Sequence, residues 1–236
     1  MENINFSQKL IECLKVGTDE ALVEADWILN NVQIDINAYD EQGRNGTALM
    51  QAAYYGMPEW IDKLLAKGAR VDEKDEEGRT ALWYASLNGH TDVAVKLIRA
   101  GANINVKDVK GYSPIILSTQ FKTIDMCCLC LGQGANINDQ DIKQRATPLI
   151  IAVLSYPTYE KISFLLDAGA DITMTNAYGE TAFDIAKSRK IDTKIVDLLY
   201  AHIEKHKEKE FDPVKIIQAM DNRKHIGGSN PVRTKE

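Results

Sequence analysis

An all-α solenoid of about six helix-turn-helix units, joined by short hairpin-like turns, is the fold class that this sequence predicts. Three observations predict it. Gly78, Gly101 and Ala102 have counterparts 33 residues on, at Gly111, Gly134 and Ala135. The run Asn-Ile-Asn recurs at the same interval, at residues 103–105 and 136–138. Each unit carries two short apolar stripes that cannot be buried alone, so only neighbouring copies can cover them.

The clearest unit is 75–107. Asp75 and Gly78 suit a turn. Thr80 is placed to cap a helix, its hydroxyl accepting from an unpaired N–H of the first turn. Ala81 to Leu87 makes that helix, and small Ala85 permits close packing. Asn88-Gly89 stops it, because glycine tolerates the left-handed backbone that a helix end requires. Val93, Val95, Leu97 and Ile98 give a second helix its apolar face. Gly101 ends it, and 102–107 leads out extended towards the next turn.

The first helix of each unit opens on a common core: Thr47-Ala48-Leu49, Thr80-Ala81-Leu82, Ser113-Pro114-Ile115, Thr147-Pro148-Leu149 and Thr181-Ala182-Phe183. In this the unit resembles an ankyrin repeat, a β-turn plus two helices with a T-P-L-H-x-A core. The family's usual His is replaced by Met50, Trp83, Ile116, Ile150 and Asp184, which removes a polar contact and leaves the helix intact. Five copies agree in phase, and the resemblance covers roughly residues 1–203.

In chain order, residues 1–38 read as a degenerate N-terminal capping repeat. Phe6, Leu10, Ile11 and Leu14 make one stripe, Gly17-Thr18-Asp19 breaks it, and Leu22, Ala25, Ile28 and Leu29 make another. Four internal repeats follow in 39–175, at 40–74, 75–107, 108–140 and 141–175. The first has a turn two residues longer than the template and opens its second helix at Met57-Pro58, proline being welcome in a first turn. In 108–140 the helix-stopping glycine is replaced by Lys122, so that turn is expected to be strained or rearranged. In 141–175 a residue is added to the turn and another to the loop around Tyr156-Pro157. Residues 176–207 read as the C-terminal cap, its second helix running on from Thr193. The segment 208–236 reads as a charged tail with a short amphipathic helix around Phe211, Val214, Ile217 and Met220, then disorder.

Composition narrows the function. A hydrophobic content of 44% suits a folded chain. The tail from Glu204 holds 8 Lys and Arg against 6 Asp and Glu, which leaves the body more acidic than the overall −6. A body so acidic argues against nucleic-acid binding, which needs a basic face. No apolar run approaches the ~20 residues of a spanning helix, and residues 1–10 do not read as a signal peptide, so no membrane is expected. The cysteines, at 13, 127, 128 and 130, cluster in a way that suits a reducing compartment better than a disulfide framework.

Candidate chemistry is thin. Cys127, Cys128 and Cys130 lie on one helix, where adjacent side chains point apart and do not converge on a metal. Aligned with the template, Cys130 falls where Leu97 is and Cys128 where Val95 is, and a structural role is expected. His202 and His206 share a helix face but lack the glutamate and third ligand of a zinc site. His90 reads as a helix cap. No phosphate loop, dinucleotide fingerprint or nucleophile elbow is present. No cofactor, metal or catalytic residue is expected, and the chain reads as a non-enzyme.

The resemblance implies a protein-protein interaction module, monomeric when free, that binds a partner protein through a concave face of turn tips and helix-one ends. Carried over residue by residue, that face comprises Tyr54, Tyr55, Glu76, Glu77, Arg79, Leu87, Asn88, Lys110, Tyr112, Gln120, Phe121, Lys143 and Tyr178. Tyr54, Tyr55, Tyr112, Phe121 and Tyr178 would line it as a discontinuous aromatic track, tyrosine and arginine being favoured interface anchors. The run Asp72-Glu73-Lys74-Asp75-Glu76-Glu77 would steer a basic surface of the partner towards it. A cytoplasmic location follows. The alternative is a secreted bacterial effector, or an inhibitor of the immunity type, whose C-terminal tail carries an export or docking signal.

Overall fold

A computed structural model describes residues 5–40, 46–121 and 124–210, with side chains as far as residue 206. Among these residues the chain is all-α, with twelve helices in antiparallel pairs. The first pair is α1 (Phe6–Val16) and α2 (Asp19–Asn31), followed by α3 (Ala48–Tyr54) with α4 (Pro58–Ala66). Next come α5 (Ala81–Asn88) with α6 (Thr91–Arg99), and α7 (Pro114–Ser118) with α8 (Asp125–Gly132). The last are α9 (Pro148–Leu154) with α10 (Tyr159–Asp167), and α11 (Ala182–Ser188) with α12 (Thr193–Glu210). First helices stack in one row, α1 on α3, α3 on α5, α5 on α7, α7 on α9 and α9 on α11. Among the second helices, α4 packs on α6, α6 on α8 and α10 on α12.

The sequence signals act where expected. Thr47, Thr80, Thr147 and Thr181 each accept a backbone N–H of the first helical turn. Ser113 is the exception. Its hydroxyl donates instead to Asp139 Oδ2 at 2.5 Å, so α7 starts without a side-chain cap. Gly89 ends α5 with φ of 72°, a backbone that a Cβ would strain.

Repeats are tied together by two ladders. The third residue of the Asn-Ile-Asn run, or its counterpart, accepts the N–H that opens the next such run. Asn37 takes Arg70 N–H at 2.8 Å, Asp72 takes Asn103 at 3.0 Å, Asn105 takes Asn136 at 3.2 Å and Asn138 takes Asp171 at 2.8 Å. At the turn tips, Val109 N–H donates to Glu77 O at 2.9 Å, Ile142 N–H to Lys110 O at 2.9 Å and Ala177 N–H to Gln144 O at 2.7 Å. Inside each tip a side chain organises the turn. Asp75 Oδ1 accepts from Glu77 and Arg79, Asp108 Oδ1 from Lys110 and Tyr112, and Asn176 Oδ1 from Tyr178 and Glu180.

The apolar interior divides into two clusters. The first runs from Leu10 to Cys130 and the second from Ile116 to Leu199, with Tyr112 and Phe164 packed on both. The division falls at α7, in the repeat whose helix-stopping glycine is replaced by Lys122. There α7 is only five residues long. Lys122 itself, like the turn at 41–45 and the tail 211–236 with its expected helix, lies outside the described residues.

The early end of α7 at Ser118 leaves the carbonyls of the loop that follows, such as Thr119 and Phe121, without helical partners. Lys161, fully buried on α10, reaches across to them. Its ammonium donates to Thr119 O at 3.1 Å, to Phe121 O, and to Tyr156 O at 3.3 Å. A buried charge is tolerable only with such partners, and burial still lowers its pKa from the usual lysine value.

Candidate protein-binding face

The face formed by the hairpin tips and the first-helix row carries two hollows. One, of about 290 Å³, is lined by Lys15, Asp40, Met50, Gln51, Tyr54, Tyr55 and Tyr84. The other, of about 300 Å³, is lined by Glu77, Arg79, Trp83, Leu87, Asp108, Lys110, Tyr112, Leu117 and Gln120. Eight of the thirteen sequence-selected residues line these hollows. Tyr54 and Tyr55 are in the first hollow, while Glu77, Arg79, Leu87, Lys110, Tyr112 and Gln120 are in the second.

Aromatic rings line the wall between them. Tyr54 and Tyr55 meet edge to face with centroids 4.9 Å apart, Tyr54 meets Tyr84 at 6.0 Å, and Tyr84 meets Trp83 at 5.3 Å. Such pairs add stability beyond their buried area and hold the rings in place. Tyr54 and Tyr55 remain 41% and 44% exposed. Trp83 and Tyr84 are buried, and Trp83 Nε1 donates to Tyr112 O at 3.1 Å. Sequence reasoning missed both, because their place inside helix one reads as core. Two adjacent aromatics at 83–84, beside Tyr54 one repeat earlier, were the signal that could have found them.

Polar side chains fix this wall from behind. Asn88 Nδ2 donates to Tyr54 O at 3.0 Å and Tyr84 O at 3.3 Å, which uses its amide inside the fold. His90 occupies the N-cap position of α6 without capping it. Its ring turns to the preceding repeat, with Nε2 3.1 Å from Tyr54 O. The ring also lies over Gly56, where a Cβ would meet it at 2.6 Å.

Arg79 corrects an expectation. Selected from the sequence as a turn-tip contact of the binding face, it is only 3% exposed. Its Nε donates to Asp75 Oδ2 at 2.7 Å, its Nη1 lies 3.1 Å from Glu77, and its guanidinium sits 5.5 Å from the Trp83 ring and 5.1 Å from that of Tyr84. Tyr84 donates its hydroxyl to the same Asp75 oxygen at 2.7 Å. Desolvation is offset here by a carboxylate and by stacking on aromatic faces.

The acidic run around it is largely used by the fold as well. Asp72 holds Asn103 N–H, and Asp75 is buried under Arg79. Glu73 accepts from the Tyr39 hydroxyl and pairs with Arg70 at 3.2 Å. Those bonds hold its pKa below the usual value, with the Tyr39 bond the largest cause. Glu76 is the exposed carboxylate of the run.

The sequence-selected residues differ in exposure. Lys110 and Lys143 are exposed, and Tyr178 is 80% exposed. Phe121 is half-buried, its ring 3.3 Å from where a Cβ on Gly89 would stand. Tyr112 is half-buried against both core clusters, and burial raises its phenol pKa. Among the described residues, ring contacts join Tyr55, Tyr54, Tyr84 and Trp83, while Tyr112, Phe121 and Tyr178 stand apart.

Reactive groups are placed elsewhere. Cys127 and Cys130 are buried and Cys128 is exposed. Ser118 Oγ lies 3.1 Å from Cys127 Sγ, and burial raises the pKa of both inner thiols, Cys130 to about 12. His202 and His206 line a separate hollow with Asp171 and Lys205. Among the described residues no cluster of three or more His, Cys, Asp or Glu is arranged to hold a metal ion, and no helix is long and apolar enough to cross a membrane.

Comparison with known families bears on the same elements. A family model for ankyrin repeats, in three copies, matches residues 20–108, which hold α3 to α6, most of α2 and the rings of Tyr54, Tyr55, Trp83 and Tyr84. No curated protein matches the chain.

Proposed function

Because the chain carries ankyrin repeats, we propose that it is a non-enzymatic binding module that grips a partner protein on the tip-and-first-helix face. Ankyrin repeats in general bind proteins. The observation that carries the proposal for this chain is the wall of Tyr54, Tyr55, Tyr84 and Trp83. Two rings are held rigidly from behind, and two stand open beside a hollow. Pre-organised aromatic anchors of this kind lose little entropy on binding and can each contribute about 2 kcal/mol or more. Since most carboxylates of residues 72–77 serve the chain's own turns and pairs, acidic steering of a basic partner contributes little to this reading.

The test is capture of partners from the native source by the full chain and by a Tyr54→Ala, Tyr55→Ala, Phe121→Ala variant, with circular dichroism melting of both. The expected outcome is loss of the captured protein at unchanged helicity. Equal recovery by a folded variant would refute the face. The four free thiols support a cytoplasmic setting; fractionation that found the chain outside the cytoplasm would overturn that part alone.

A further inference from the structure

The tips of the fourth, fifth and sixth helix pairs form a ridge with a charge opposite to that of the chain as a whole. Val109, Ile142 and Tyr178 stand 61%, 70% and 80% exposed along it. Lys110, Lys143 and Arg145 are exposed between them. Among the described residues, no ion pair or side-chain hydrogen bond engages these three cations. The acids of the same turns are engaged within them, half-exposed Glu180 accepting from Asn176 Nδ2 at 3.0 Å. Asp108 and Asp141 are buried and hold backbone N–H groups of their own tips. Asp139 pairs with Lys107 and accepts from Ser113. In a chain of net charge −6 the outward side of this ridge is therefore cationic and apolar. The tip ladder from Glu77 to Ala177 makes it continuous.

We propose that this ridge binds an extended acidic segment of a partner protein, its carboxylates on Lys110, Lys143 and Arg145 and its intervening apolar side chains on Val109, Ile142 and Tyr178. The proposal rests on the protein-binding reading above, for the ridge is an edge of the same face. Spacing sets the form of the segment. Packed helices repeat about every 8–10 Å. A polyproline-II chain has three residues per turn and rises about 3.1 Å per residue, so the same side returns about every 9 Å. An acidic residue at every third position then meets Lys110 on the fourth tip and Lys143 with Arg145 on the fifth, and an apolar residue beyond them meets Tyr178 on the sixth. Arginine adds a planar fork that suits a carboxylate.

A fluorescein-labelled peptide of four Glu-Leu-Pro repeats, titrated against the full chain by anisotropy, tests this. The expected result is saturable binding that weakens as salt is added and falls at least about tenfold for the Gln-Leu-Pro analogue. The Lys110→Glu, Lys143→Glu variant should lose about tenfold with an unchanged melting temperature, both side chains being exposed. Ile142→Ser should weaken binding through the apolar contact. Equal binding of the Gln peptide, or an unaffected charge-reversal variant, would overturn the proposal. So would a single-stranded oligonucleotide that binds more tightly than the Glu peptide. The two readings fail separately. If the Tyr54→Ala, Tyr55→Ala, Phe121→Ala variant loses its captured partner while charge reversal leaves peptide and partner alike, the ridge fails and the face stands. If the triple variant keeps its partner while charge reversal abolishes peptide binding, the aromatic wall fails and the ridge stands.

Discussion

The ammonium of Lys161 donates to the carbonyl of Thr119 at 3.1 Å, across 42 residues of chain. With its bonds to Phe121 O and Tyr156 O, it satisfies carbonyls from two different loops. Lys161→Met fills similar space and leaves those groups unpaired. Leaving buried polar groups unsatisfied costs roughly 1–3 kcal/mol each. The expected loss is about 3 kcal/mol in urea unfolding at neutral pH, well above the ordinary cost of a surface lysine change. A loss below about 0.5 kcal/mol would show that water replaces the lysine.

Arg79 should behave as part of the interior. Arg79→Ala leaves Asp75 buried with its charge unbalanced, and breaking a buried pair in this way costs about 3–5 kcal/mol. Tyr84→Phe removes only a hydroxyl donor to the same oxygen and should cost about 1 kcal/mol. Thermal melts of the two variants check the ranking. If Arg79→Ala melts like wild type yet loses a captured partner, the residue is a contact after all.

The thiols should react in a fixed order. All four thiols have raised pKa values, Cys13 to about 11 and Cys130 to about 12, with burial the largest cause, but only Cys128 is exposed to a reagent. The thiolate is the nucleophile, so raised values suppress reaction at neutral pH. A mild alkylating probe, read by mass spectrometry, should label Cys128 alone in the folded chain and all four cysteines in urea. Fast labelling of Cys127 would place an activated thiol beside Ser118 and reopen the question of catalysis.

Acid should weaken the last repeat through Asp184. The Thr181 hydroxyl donates to its carboxylate at 2.6 Å and the Thr181 N–H at 3.0 Å, and these bonds hold its pKa below the ordinary 3.8. The folded state thus favours the ionised form. The stabilisation is complete above pH 3.8 and drains away as pH falls through the lower folded value. Asp184→Asn should therefore differ from wild type near neutrality and converge with it in acid. Thr181→Ala should cost about 1 kcal/mol at pH 7. A constant gap between wild type and Asp184→Asn down to pH 2 would contradict this.

Periodicity made the repeating architecture legible, because each unit exposes the same stripes and each stripe needs a neighbour. Thr80 and Gly89 could be read as start and stop from local chemistry alone. Tyr54 and Tyr55 were legible as candidates since the repeat has no structural use for them. Arg79 and Lys161 were not. A charge in a turn or on an amphipathic helix reads as solvent-facing, and what buries these two comes from distant segments: Asp75 with the Trp83 and Tyr84 rings for one, the broken end of α7 for the other. The Asn-Ile-Asn run was visible as a repeat, but its purpose was not. Asn105 is needed by Asn136, one unit on, and a sequence read singly does not show that bond.

The dry interior of this rod is not one piece. Most buried residues from Leu10 to Cys130 belong to one block and Ile116 with those from Ala146 to Leu199 to the other, the two meeting at α7, where Lys161 is tied across. Pulled from its ends, such a rod is expected to part at that joint, which would leave Tyr54 and Tyr55 on the forward block and Lys143 and Arg145 on the rear one. A cargo lying over both blocks would act as a splint, and its grip would be felt as resistance to rupture as much as in affinity.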